Sequence, residues 1–302
     1  MKEISFDTSS GTIKAACWDE VNDPIGTVQV AHGLGEYHGR YHELAERLNR
    51  KGYIVFCNDH LGHGLNVSKQ NPKGYFGDEE SFSDVVNHLA EMNSYIRKKY
   101  PAKKHFLVAH SLGTAISLSL LQRGLTFDGV VLSATFSVNP LLLFINGLLV
   151  GLEMRTLGPK GISKLMEDLT TVKHNSAFKP NRTTHDWLST NEESVDAYVA
   201  DPLCGFPNTV KLWQDLKIGF SGLWSKKSLK EIDENNRFLC LTGSQDSVNA
   251  NGKQSEKIHN LLIDLGLESE FISYEGMRHE IFNELGREKV FAQVLDFFEH
   301  SA

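Results

Sequence analysis

A serine hydroxyl is a poor nucleophile unless a base removes its proton and a third group orients that base. Val108-Ala109-His110-Ser111-Leu112-Gly113 offers a serine in the right setting. An apolar strand pattern over 105–109 runs into it, and a helix pattern over 112–122 leaves it. A strand–Ser–helix turn of this small-x-Ser-x-Gly type pushes the hydroxyl out over the end of a sheet. The small residues two before and two after the serine let the helix pack closely on neighbouring strands. Ala109 stands where glycine is usual, a change of one methyl group.

The partners such a serine needs follow in the chain order serine, acid, histidine, each after a late strand. Asp246 lies just past the strand pattern at 237–242, and His279 just past the one at 270–274. Each alone reads equally well as a turn residue. Together, each at the C-terminal end of a strand where open sheets bind ligands, they make a Ser111–His279–Asp246 triad. Attack on a carbonyl also creates an oxyanion, which needs two preorganised N–H donors. The N–H of Leu112, directly after the serine, is one. The N–H of Leu34, in the His32-Gly33-Leu34-Gly35 turn after the third strand, is the other candidate.

Other chemistries find less support. His60 and His63 lie in a Gly-rich turn without a third ligand, and His279-Glu280 is not followed by the His-Glu-x-x-His spacing, so no metal site is expected. There is no Gly-x-Gly-x-x-Gly after a strand and no Gly-Lys-Ser/Thr phosphate loop. A triad of this kind requires no cofactor.

The elements that must hold these residues alternate strand and helix. Strand patterns at 12–18, 27–31, 53–57, 105–109, 129–133, 237–242 and 270–274 are separated by helical ones, including a long stripe of Phe82, Val85, Val86, Leu89, Met92 and Ile96 and a closing helix at 290–298. Several strands are apolar throughout, the mark of a mostly parallel sheet covered on both faces. Between Ala134 and about Asn235 the rhythm breaks into an irregular, mostly helical stretch, expected as a helical cap over the sheet. The division is therefore 1–134 and 236–302 for the core and 135–235 for the cap. Within the cap, the apolar segment 140–152 is broken by Asn146, Gly147 and Gly151 and is shorter than a bilayer span. It reads either as a helix packed inside the insertion or as one lining a lipid-accepting pocket or touching a membrane or micelle surface.

Composition is that of a soluble globular protein rather than a disordered one. The 302 residues are 40% hydrophobic and 23% charged with a net charge of -7 and no long basic run, which argues against nucleic-acid binding. Cys17, Cys57, Cys204 and Cys240 are scattered with no Cys-x-x-Cys pair and read as buried free thiols of a reducing compartment. The N-terminal residues have no apolar signal core, so the expected location is cytoplasmic.

Five stretches taken together resemble the monoacylglycerol lipase and lysophospholipase branch of the α/β-hydrolases, in the serine aminopeptidase S33-type group. They are 32–41 (HGLGEYHGRY), 59–64 (DHLGHG), 109–113 (AHSLG), 201–203 (DPL) and 276–284 (GMRHEIFNE). The stretches 178–188 and 195–206 are similar to bacterial members usually labelled lysophospholipases. The resemblance implies an α/β-hydrolase fold with an eight-stranded, mostly parallel sheet and a lid inserted after the sixth strand. It implies hydrolysis of single-chain lipid esters, monoacylglycerols or lysophospholipids, to fatty acid and alcohol. It also implies that Glu36 and Arg40 brace the lid or line a polar exit, and that Tyr198 faces the glycerol end of a substrate. One departure stands out: Phe282 occupies the place of a second histidine that animal monoacylglycerol lipases carry near the glycerol pocket. The alternatives are a general short-chain carboxylesterase or thioesterase and, from a different class, a non-catalytic ligand-binding protein on the same scaffold.

Overall fold

The computed structural model describes residues 1–9, 11–79, 81–101 and 103–301. Eight strands form one sheet: β1 (Lys2–Thr8), β2 (Gly11–Trp18), β3 (Gly26–Ala31), β4 (Tyr53–Asn58), β5 (Lys104–His110), β6 (Gly129–Ser133), β7 (Phe238–Gly243) and β8 (Ser269–Tyr274). Their spatial order is β1-β2-β4-β3-β5-β6-β7-β8. β1 and β2 run antiparallel at one edge, and every pairing from β4 to β8 is parallel. The strands that read as continuous apolar runs, β3, β4, β6 and β7, are buried along their whole length, as parallel strands covered on both faces must be.

Helices α1 (His42–Arg50), α2 (Ser81–Lys99) and α3 (Leu112–Leu121) connect the first strands. α2 buries the stripe read from the sequence, from Phe82 to Ile96, and one core cluster joins it to α3, β5 and β6. The opposite face of the sheet is covered by α1 and the C-terminal helix, through Leu44, Leu48, Val290, Val294 and Phe298.

The segment between β6 and β7 adds no strand to the sheet. It carries α4 (Pro140–Leu157), α5 (Lys164–Glu167), α6 (Lys173–Asn175), α7 (Glu192–Ala200), α8 (Val210–Gly219) and α9 (Lys226–Leu229). α10 (Lys253–Asp264) and α11 (Arg287–His300) complete the chain. The segment is tied to the loops at the C-terminal ends of the strands. Gly205 N–H and the Tyr198 hydroxyl donate to Gly35 O, Thr209 N–H donates to Gly74 O, and Glu280 N–H donates to Leu188 O.

α4 departs from the sequence reading in two ways. It runs five residues past Leu152, so its 18 residues, of mean hydropathy 1.4, are long and apolar enough to cross a membrane by length and composition. It is also not packed inside the insertion, since Val150 is its one buried residue. Leu141, Phe144, Ile145, Leu148 and Leu152 are exposed, so of the two readings open from the sequence the fully packed one does not hold.

Candidate active site

Ser111 sits between β5 and α3 with φ 50° and ψ -119°, a left-handed backbone that a side-chain-bearing residue adopts at a cost of roughly 1–3 kcal/mol. Neighbouring contacts over-determine it. Ser111 N–H donates to Ser133 O on β6, and α3 lies so close to β3 that a Cβ at Gly113 would be 2.0 Å from Ala31 O. The register places His110 beside Ser133 and Ala109 beside Ala31, which brings the serine and the turn after β3 to the same end of the sheet.

His279 Nε2 lies 2.9 Å from Ser111 Oγ. Its Nδ1 lies 3.0 Å from each carboxylate oxygen of Asp246. An ionised Asp246 fixes the tautomer: Nδ1 carries the hydrogen and donates, leaving Nε2 to accept the serine proton. Both partners are buried, and Asp246 is anchored by Val248 N–H at 2.9 Å. Burial works against a charged imidazole at His279. The Asp246 carboxylate, with Glu280 and Glu36 further off, outweighs it and raises the His279 value above that of free histidine. The Asp246 turn is locked to the His279 loop at Gly243, where a Cβ would come within 2.2 Å of the carbonyls of Met277 and Arg278.

The turn after β3 is held group by group. Gly33 N–H donates to Glu36, Gly35 N–H donates to His63 Nε2, and Gly33 O and His32 Nδ1 are 2.7 Å apart. His60 N–H donates to His32 Nε2, so the hydrogen of His32 is on Nδ1 and points at Gly33 O. The peptide joining Gly33 to Leu34 is planar, so fixing Gly33 O also fixes the direction of Leu34 N–H on the opposite side. That N–H makes no backbone hydrogen bond among the described residues. Leu112, first in α3, has an N–H with no intrahelical acceptor. Two unengaged donors thus flank the serine.

His60 and His63, weighed from the sequence as metal ligands, hold loops together. His60 Nε2 bonds to His32 O and His63 Nδ1 to Leu61 O. Burial pushes His60 down to about 3 and His63 to about 4, so both are neutral.

A cavity of about 420 Å³ opens above Ser111 and His279. One part of its wall is apolar: Leu142, together with Phe136, Leu143, Val150, Met166, Trp213 and Phe220, which belong to two hydrophobic clusters that share Trp213. Another part is polar, lined by Glu36, Glu280, His185 and Tyr198. Glu36 and Tyr198 line the cavity, although the Tyr198 hydroxyl is engaged by Gly35 O. Arg40 does not line it. Its guanidinium pairs with Glu280, bonds to Ser194 Oγ at 2.9 Å and lies 5.4 Å from the Tyr198 ring centre, bridging α7 to the His279 loop. Phe282 is not at the cavity either: it packs on Tyr41 and Phe291 in the core, so the substitution noted there leaves no gap in the wall.

Three cavity residues were not anticipated. Trp187 has its ring centre 5.1 Å from that of His279 and a buried Nε1 without a partner. His174 has its ring centre 5.9 Å from that of Trp187, and burial followed by the nearby His279 lowers it to about 4. His185 lies tilted against Tyr198, with ring centres 5.1 Å apart. All three lie in the aperiodic stretch, where nothing in the spacing singles them out. The four cysteines are all free and buried.

This sheet and the serine elbow on it define an α/β-hydrolase. Residues 22–286 match the family model described as serine aminopeptidase, S33, and the chain belongs to that family. Rat monoglyceride lipase is 31% identical over 191 residues, covering 62% of this chain and 54% of that protein. The human monoglyceride lipase match also covers 54%, so the chain spans about half the length of these relatives. A monoacylglycerol lipase of Mycolicibacterium smegmatis is 25% identical over 88% of the chain and 85% of its own length. Among solved structures, a thermostable carboxyl esterase of Bacillus coagulans in complex with glycerol superposes with a TM-score of 0.90 at 22% identity, over 99% of this chain and 98% of that one. A monoglyceride lipase variant from Saccharomyces cerevisiae in complex with a substrate analog gives 0.75 at 19%, over 99% and 95%.

Proposed function

We propose that the protein is a serine ester hydrolase that cleaves single-chain lipid esters through an acyl-enzyme. The observation that carries this is the hydrogen-bonded chain Ser111–His279–Asp246 on the floor of a cavity with a long apolar wall. Ser111 Oγ attacks the ester carbonyl as its proton passes to His279 Nε2, and Leu34 and Leu112 N–H groups hold the oxyanion. The intermediate collapses, His279 protonates the leaving alcohol, and the acyl group stays on Ser111. A water then gives a proton to His279 and attacks the acyl carbon. His279 returns a proton to Ser111 as the fatty acid leaves.

Of the two head groups, glycerol has the better support. Arg40 is engaged with Glu280 and stands away from the cavity wall, and Glu36 lies on that wall. Among the described residues lining the cavity the one lysine or arginine is Lys217, whose stem crosses Gly147 on the apolar side. A phosphate near the ester would meet carboxylates rather than cations, whereas hydroxyls can bond to them.

We read residues 135–235 as a cap that supplies the acyl wall from α4 and α8, and the outward leucines of α4 as its contact with a membrane or micelle. The buried free thiols suit a reducing, cytoplasmic location.

The head group is tested by kcat/KM on monooleoylglycerol and oleoyl lysophosphatidylcholine, with p-nitrophenyl butyrate as reference. The expected order is monoacylglycerol first. Preference for the lysophospholipid would overturn the head-group assignment, and turnover of the aryl ester alone would leave a small-ester hydrolase.

A further inference from the structure

Glu36 touches the turn after β3 more closely than a wall residue needs to. It is 3% exposed, and its Oε1 accepts from Gly33 N–H at 2.5 Å and from the Tyr41 hydroxyl at 2.7 Å. A Cβ at Gly33 would stand 2.6 Å from the same oxygen, so the carboxylate lies directly against the backbone. Tyr41 is itself buried, wedged against Phe282 at the start of α1. Gly33 N–H has no other acceptor among the described residues. Without Glu36 that buried donor is unsatisfied and carries the full penalty of its lost hydration. The readiest relief is rotation about Gly33, the residue with the freest backbone, and that rotation carries Leu34 N–H with it.

We infer that Glu36, held in place by Tyr41, is a positioning residue for the oxyanion-binding N–H of Leu34. It acts through Gly33 and does not itself touch the reacting carbonyl. His32 fixes the carbonyl of Gly33 and Glu36 its N–H, so the two side chains together hold both polar groups of the residue before Leu34. The inference rests on the hydrolase reading, because only a developing oxyanion makes the direction of that N–H matter.

The test compares wild type, Glu36→Ala, Glu36→Gln and Tyr41→Phe on p-nitrophenyl butyrate, an ester without a glycerol head, with melting temperatures measured alongside. Glu36→Ala should lower kcat roughly 10- to 100-fold, short of the ~10²–10³ for outright loss of an oxyanion donor, with KM little changed. Glu36→Gln should recover most of that loss, since its amide carbonyl can accept the same two hydrogen bonds, and Tyr41→Phe should fall between. Wild-type kcat in Glu36→Ala, a loss confined to KM, or a glutamine variant as impaired as the alanine one would each overturn the inference while the hydrolase reading stands. A wild-type protein without Ser111-dependent turnover would overturn both.

Discussion

Gly113 on α3 and Ala31 at the end of β3 approach so closely that a methyl group on the glycine would meet the Ala31 carbonyl oxygen at 2.0 Å. The helix that begins at the candidate nucleophile is thereby seated on the strand that leads into the turn carrying Leu34. Gly113→Ala must push the two apart. A loss of roughly 2–3 kcal/mol in stability is expected, together with a fall in kcat for whatever folded protein remains. Chemical denaturation and turnover on the same samples measure both, and a variant with wild-type kcat would show that this spacing is unimportant.

The neighbouring carboxylate raises His279, and the imidazole must be neutral to take the serine proton. Activity is therefore lost as pH falls through that raised value, and the acid limb of kcat/KM should lie above the ordinary histidine value of about 6.5. Asp246→Asn should move this limb down and lower kcat by roughly 10³–10⁴. A pH–rate profile of the two proteins decides it.

Burial, and then the charge of Glu280, lift Glu36 to about 7 from an ordinary 4.5. Below about pH 4.5 the group is neutral folded or unfolded. Between 4.5 and 7 the folded protein keeps a proton that the unfolded chain has released, so this residue's contribution to stability is lost as pH rises through that window. Glu36→Gln removes the dependence. Its melting temperature relative to wild type should be higher at pH 8 than at pH 5, and a pH-independent difference would contradict the assignment.

The exposed leucines 141, 148 and 152 fall on α4 outside the cavity wall, which takes Leu142, Leu143, Asn146 and Val150 instead. Replacing all three by serine should reduce partition onto phosphatidylcholine vesicles at least tenfold, given ~1.5–3 kcal/mol for each fully buried leucine. Turnover of p-nitrophenyl butyrate should change by less than about twofold. Equal partition of the two proteins would mean that the outward face is not a lipid contact.

The sheet was readable from the sequence because its parallel strands are covered on both faces and so appear as unbroken apolar runs, as at 53–57 and 129–133. Ser111 and Asp246 stand out because each follows such a run, whereas His279 follows the half-exposed edge strand β8 and stands out by its place in the chain order. The wall of the cavity was not. Trp187, His174 and His185 reach it from turns and short helices whose placement depends on tertiary hydrogen bonds, such as Arg278 to the carbonyl of Asp186 and Thr190 N–H to the Glu284 carboxylate. α4 was left between two readings for a related reason: an apolar run ordinarily signals burial, and here Leu142, Leu143 and Val150 line the cavity while Leu141, Leu148 and Leu152 are exposed. Glu36 was singled out by resemblance, but its contact with Gly33 is a matter of 2.5 Å that no spacing rule encodes.

Ser111 is proposed as the nucleophile of an ester hydrolase, an assignment open to direct chemical test. It is tested most directly by treating the full chain with a fluorophosphonate and mapping the adduct by mass spectrometry, with p-nitrophenyl butyrate turnover followed in parallel. One adduct per chain on Ser111, complete loss of turnover on labelling, and a fall in kcat of about 10⁶ in Ser111→Ala are expected. Labelling elsewhere, or more than about a thousandth of the wild-type rate retained in Ser111→Ala, would contradict the account.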